Sequence, residues 1–444
     1  MIHSGIVGLS PATLGKRKPL NQPPMPTLSH INKLVLSLAI TIALLSCSSQ
    51  QTTSVTKATA PGALVEYTLI DTFGIDKINW TINEGLDLFM TNGTMKASDF
   101  RDRLAKPQQG VKLYKVTYSS IIPEKNDAVV TAYGLIAIPQ NVQPNAPIVS
   151  YQHGTIFDRS WTPSNPAGSM ETQLMIAQFA SQGYIVIAAD YFGTSKESTL
   201  PNSYFVAQST AQACLDMYRA SLQVLEKEHI TPGKLFISGW SQGGYSTLAF
   251  LRYLDLLNIP VAAVATASGP ADPLLFISES LNNPSPFAAS FAVAAVSNLM
   301  LSFDAYYNLN GYFEGSIQPK YINLARQLHR FELSYEDFAK QVPPQPESVF
   351  LPEFYTDSRT ALKPFWKALD AGAAYRWRMS APLRCFYSLR DEAVPWQVAR
   401  MAADYQRTLG HPNAEAIDAG PNADHRSVYL YSLVEVKRWF DGMK

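Results

Sequence analysis

The segment KLFISGWSQGGYSTLAFLRYL, residues 234–254, constrains the chain more than any other. An apolar strand, Leu235–Ile237, runs into Gly239-Trp240-Ser241-Gln242-Gly243, and a helical pattern begins at once. A strand that becomes a helix within so few residues needs a very sharp turn. Side chains at Gly239 and Gly243 would meet neighbouring elements, and Ser241 at the apex is pressed into strained dihedrals. The strain lifts its hydroxyl clear of the backbone, at the amino end of a helix whose dipole favours developing negative charge. A G-x-S-x-G sequence in this strand–turn–helix setting presents a serine nucleophile.

The rest of the chain fits such a turn. APIVSYQHG, GYIVIAADY, VAAVATASG and PLRCFYSL are short apolar runs bounded by turn residues. Helical patterns such as METQLMIAQFASQG and TAQACLDMYRASLQVLEKE separate most of them. Continuous apolar strands alternating with helices imply an α/β class with a mostly parallel sheet, covered on both faces. Val111–Ser120 and Ala128–Gln140 flank the turn IIPEKND and predict an antiparallel pair. The stretch from Leu64 to Pro107 reads as strand and short helices beside the main body, without a definite assignment.

After Gly269–Pro273 the alternation breaks, and it resumes only at Pro382. PFAASFAVAAVSNLML, SYEDFAKQV and RTALKPFWKAL predict an inserted helical cap over the sheet's carboxyl edge, where ligands sit in open α/β folds. The first of these also reads as a buried packing helix, and the two readings are compatible. The expected organisation is a leader over 1–47, a flexible tether over 48–63, core over 64–271, cap over 272–380 and core over 381–444.

The 36 basic residues balance 36 acidic ones, and no charge run stands out, so nothing points to nucleic acid. Cys47, Cys214 and Cys385 lack metal-ligand spacing; Cys214 and Cys385 read as buried free thiols. No metal or other cofactor is expected. From Lys33 the chain reads KLVLSLAITIALLSCSSQ: a positive residue, about a dozen apolar residues, then small ones, which is the build of an export signal. Its ending, Leu44-Leu45-Ser46-Cys47, resembles the lipobox of bacterial lipoproteins, which implies lipidation at Cys47. The resemblance implies export to the bacterial cell envelope and a lipid anchor on a membrane surface, with secretion as the alternative if the lipobox is unused. The long segment before the signal suggests Met25 as a more natural start.

A serine hydroxyl needs a base to attack at neutral pH. Of the seven histidines, His425 in GPNADHRS lies between the strand-like NAEAIDA and a final helical pattern. It is the candidate base. An acid must hold the imidazole's tautomer; Asp391 follows the strand LRCFYSL directly and gives the chain order Ser…Asp…His. Glu392 is its main competitor, with Asp418 and Asp424 behind. Donors for a tetrahedral oxyanion are expected from the backbone amide of Gln242 and, in the loop after APIVSYQHG, from that of Thr155, with Gly154 next. His153 and Asp190 read as structural.

YQHGT, AADYFGTS, GWSQGG, SGPAD, DEAVP and DH together resemble the bacterial and fungal esterases related to the secretory lipases, from about Val111 to the carboxyl end. The resemblance implies an α/β-hydrolase fold and hydrolysis of small-molecule carboxylic esters without cofactor, with the cap shaping the pocket. It places Ser241, Asp391 and His425 as the triad. GWSQGG also resembles the elbow of prolyl-oligopeptidase-like peptidases, but Gln242 stands where those have tyrosine, and no propeller-sized region precedes it. An aminopeptidase-like hydrolase remains the alternative and would need cap acids such as Glu314 or Glu353 for a substrate ammonium. A surface lipoprotein that only binds is the third reading.

Overall fold

Among the described residues, nine strands form one sheet in the order β1-β2-β3-β5-β4-β6-β7-β8-β9. They are β1 Leu64–Phe73, β2 Val111–Ile122, β3 Ala128–Pro139, β4 Ala146–Gln152, β5 Ile185–Ala189, β6 Pro232–Trp240, β7 Ala263–Ala267, β8 Leu383–Tyr387 and β9 Ala414–Asp418. The computed structural model describes residues 60–91, 93–282, 289–356 and 363–444; the leader, the expected tether up to residue 59 and Cys47 lie outside the described residues.

From β5 through β4 to β9 every pairing is parallel. All five residues of β5 and of β7 are buried, as strands covered on both faces require. Neighbouring side chains point to opposite faces: Ile148 and Ile237 pack with helices Ala207–Lys227, Gln242–Leu256 and Trp396–Thr408. Val149 and Phe236 pack with Met170–Gln178 and His425–Asp441.

The expected antiparallel pair is present, running from Val111 opposite Pro139 to Ile122 opposite Ala128 without a register shift. Asn126 and Asp127 close its turn at φ 54° and 57°, a region these two residue types tolerate. The unassigned stretch resolves into β1, which extends the sheet beyond β2, and short helices at Ile75–Trp80, Leu86–Phe89 and Ser98–Arg101.

Two features position the site. First, β4 has β5 on one side and β6 on the other, so the strand order reverses there. The loops leaving β4 and β6 flank the crevice that such a reversal opens at the carboxyl ends. Second, the described residues between β7 and β8 are mainly helical: Pro273–Asn282, Ala289–Tyr307, Ile322–His329, Tyr335–Gln341, Pro352–Thr356 and Lys363–Ala371. Val293, Val296, Leu299 and Phe303 of the long helix join the same apolar cluster as the helices on the sheet. It is therefore a buried helix within the insertion.

The insertion rests on loops at the sheet's carboxyl end. Phe157, after β4, stacks on Tyr335 at 5.2 Å and meets Phe291 edge-on at 6.3 Å. Tyr306 Oη donates to the Pro201 carbonyl at 2.9 Å. No helix among the described residues is long and apolar enough to cross a membrane. Cys214 and Cys385 are free and buried.

Candidate active site

Ser241 stands between β6 and helix Gln242–Leu256 with φ 57° and ψ −126°, a conformation that costs a non-glycine residue about 1–3 kcal/mol. Its amide donates to the Ala267 carbonyl at 2.8 Å, which ties the turn to β7. A Cβ on Gly239 would lie 2.3 Å from the Gly243 carbonyl oxygen, and one on Gly243 only 1.9 Å from that of Gln152. Gly244 and Gly269 press together just as closely, a Cβ on Gly244 falling 2.5 Å from the Gly269 Cα. The turn tolerates glycine alone at these positions. Only 5 % of the Ser241 surface is exposed.

His425 opens helix His425–Asp441, whose amino end Asp424 caps by accepting the Ser427 amide at 2.8 Å. Its Nδ1 faces both oxygens of Asp391, at 2.9 and 3.0 Å. Asp391 is itself held, Oδ1 accepting the amides of Ala393 and Val394 at 3.0 and 2.9 Å. The neighbouring acids do other work. Glu392 accepts the His425 backbone amide at 2.9 Å, Asp418 accepts the Gly420 amide, and Asp424 is the cap. Burial pulls the imidazole pKa down, but the charge and hydrogen bond of Asp391, with the charge of Glu392, outweigh it and hold it above the ordinary value.

The imidazole meets the elbow through Trp240. The two rings lie 4.9 Å apart, and the indole Nε1 donates to the His425 carbonyl at 3.1 Å. Among the described residues no hydrogen bond joins the Ser241 hydroxyl to the His425 ring; such bonds are often long before substrate binds and tighten in the complex.

The loop after β4 lies against Trp240 of the elbow. His153 is buried, its Nδ1 2.8 Å from the Gly154 carbonyl and its Nε2 3.2 Å from that of Asp190. Burial lowers its pKa to about 4, so the ring stays neutral. Of the two amides read as alternatives, that of Gly154 donates to Glu171 Oε1 at 2.9 Å and is therefore not open to a substrate oxygen. The Thr155 and Gln242 amides meet no acceptor among the described residues. Asp190 accepts the Ser164 amide and the hydroxyls of Ser164 and Ser195, a structural clamp.

Residues 170–268, which contain the elbow, match the model of the prolyl oligopeptidase family. No curated protein matches the sequence significantly. Solved structures do match. The rice cell wall degrading esterase LipA from Xanthomonas oryzae is 22% identical at a TM-score of 0.74, with 87% of this chain and 100% of that one covered. A Legionella pneumophila protein assigned as a hydrolase is 24% identical at 0.73, with 86% and 98% covered. Candida antarctica lipase A is 18% identical at 0.61, with 87% and 83% covered. The fold is that of the α/β-hydrolases.

Sequence reasoning missed Trp240 and Glu171. Trp240 lies inside the elbow motif, but nothing in its spacing says that it packs on His425. Glu171 sits in the first turn of helix Met170–Gln178, and only the folded chain brings it to Gly154. The cap acids weighed for an ammonium are placed otherwise: Glu314 pairs with Arg326, and Glu353 is exposed. Several aromatics of the insertion pack on one another, as Tyr312 does on Phe365 at 4.5 Å. Among the described residues no group of His, Cys, Asp and Glu has the arrangement of a metal site.

Proposed function

We propose that this chain is a serine carboxylic-ester hydrolase with Ser241 as nucleophile, His425 as general base and Asp391 as the acid that orients it. The observation that carries the reading is the Asp391–His425 pair, packed through Trp240 against a strained elbow that presents Ser241. His425 takes the Ser241 proton as Oγ attacks the ester carbonyl, then gives it to the departing alcohol. Water, activated by the same imidazole, attacks the acyl-enzyme and releases the acid. The amides of Gln242 and Thr155 receive the negative oxygen of each tetrahedral intermediate. The partly buried rings of Phe291 and Tyr335, beside the β4 loop, favour small esters with a hydrophobic part. The names of LipA and lipase A, both ester-cleaving enzymes, support this class.

The test is covalent labelling by a fluorophosphonate. The wild-type chain is expected to be labelled at Ser241, and Ser241→Ala not at all. Labelling elsewhere, or none, would remove the nucleophile from the reading.

A second reading, an aminopeptidase-like hydrolase using the same triad, draws on the prolyl oligopeptidase match over residues 170–268. Cleavage of aminoacyl amides in preference to simple esters would favour it. For the leader, we propose export and lipidation at Cys47, which would tether the hydrolase to a bacterial envelope membrane and leave its catalytic unit in water.

A further inference from the structure

Gly154 is held from two sides. Its amide donates to Glu171 Oε1 at 2.9 Å, and its carbonyl faces His153 Nδ1 at 2.8 Å. Glu171 is in turn fixed by the Tyr151 hydroxyl, which donates to the same Oε1 at 2.5 Å. The Tyr429 hydroxyl donates to the Glu171 backbone carbonyl at 3.0 Å, linking that turn to the helix that begins at His425. On its other flank Gly154 abuts Trp240: a Cβ there would lie 3.1 Å from the indole and 3.4 Å from Glu171 Oε2.

The consequence concerns the next amide. No cis peptide bond occurs among the described residues, and in a trans peptide the carbonyl and the following N–H point in opposite directions. With the Gly154 carbonyl turned to His153, the Thr155 N–H is turned away from it. The direction of that donor is therefore set by how Gly154 is clamped.

We propose that Glu171 is a positioning residue for acyl transfer: by accepting the Gly154 amide it holds the β4 loop so that the Thr155 amide is presented to the oxyanion. The inference rests on the ester-hydrolase reading of Ser241. Glu171 touches no reacting atom in this account; it acts through Gly154. A displaced oxyanion donor loses its effect steeply, because it acts by preorganisation.

Tyr151 on β4 donates to the carboxyl, and Tyr191 after β5 and Tyr429 and His425 on the last helix act on it electrostatically. Burial raises the Glu171 pKa to about 7, against the lowering effects of the Tyr151 and Gly154 hydrogen bonds and the His425 charge. What the loop requires is an acceptor for the Gly154 amide, which the carboxyl supplies whether neutral or ionised.

The test uses the purified full chain and p-nitrophenyl butyrate. Glu171→Ala is expected to lower kcat roughly 10- to 100-fold with KM nearly unchanged. Glu171→Gln keeps an acceptor for the Gly154 amide and is expected to restore most of that loss. Tyr151→Phe, an isosteric change that loosens Glu171, serves if the alanine variant does not fold; its expected result is a several-fold fall in kcat with KM unmoved. Wild-type kcat in a folded Glu171→Ala, or an unmoved kcat in Tyr151→Phe where the alanine variant does not fold, would overturn the inference and leave the hydrolase reading standing. Equal losses in the alanine and glutamine variants would also overturn it. A wild-type chain that neither cleaves esters nor takes a fluorophosphonate at Ser241 would overturn the hydrolase reading, and this inference with it.

Discussion

Trp240 and His425 are joined twice, by an indole hydrogen bond to the His425 carbonyl at 3.1 Å and by rings 4.9 Å apart. Trp240 precedes Ser241 in the elbow, so the residue beside the nucleophile also packs on the imidazole. Trp240→Phe keeps the ring contact and removes the donor. It is expected to lower kcat about tenfold or less, with KM little changed, because a loosened base is misplaced rather than lost. Steady-state kinetics on a short-chain ester measure the split.

Asp391 is the main support of a raised His425 pKa. The base must be neutral to accept a proton, so kcat/KM is expected to rise with pH through an inflection above the ordinary imidazole value of about 6.5. Asp391→Asn removes the supporting charge, leaves burial to dominate, and should move that inflection to lower pH. It should also cost roughly 10³- to 10⁴-fold in kcat through the wrong tautomer. A pH–rate profile of both proteins measures the two effects, and an unmoved inflection would count against the pairing.

Gly243→Ala is expected to destabilise the fold by about 3 kcal/mol or more, because the new methyl would overlap the backbone of Gln152, which has nowhere to go. Gly74→Ala is the control: a Cβ there meets nothing within 4 Å, and at this helix amino cap it should cost about 1 kcal/mol or less. Urea unfolding midpoints compare the two.

For the leader, Cys47→Ala in a bacterial host is expected to abolish labelling by fatty acid and to move the protein out of the membrane fraction. Unchanged fractionation would remove the proposed anchor and leave the hydrolase account untouched.

The parts of this fold and candidate site that are legible in the sequence are those set by local pattern. A buried parallel strand must be apolar throughout, so β4 to β8 stand out, and the elbow announces itself because only glycine fits two positions before and after Ser241. Asp391 and His425 followed from their positions after strands. β1 was obscure because it pairs with only β2 and most of its residues face water, including Val65, Leu69 and Ile70, so it lacks the clean alternation of a half-buried strand. Glu171 was invisible for another reason. Its partner Gly154 lies 17 residues away in the chain, and no spacing rule links a helix's first turn to a loop amide. The sequence favours Thr155 over Gly154, and the fold adds the reason that the Gly154 amide is taken by Glu171.

The central claim is that Ser241 is an ester-cleaving nucleophile. The most direct measurement is hydrolysis of p-nitrophenyl esters from acetate to palmitate by the wild-type chain and by Ser241→Ala. The account predicts activity in the wild type and its loss by a factor of about 10⁴ or more in the variant. Equal rates in the two proteins, or no hydrolysis by the wild type across the series, would contradict it.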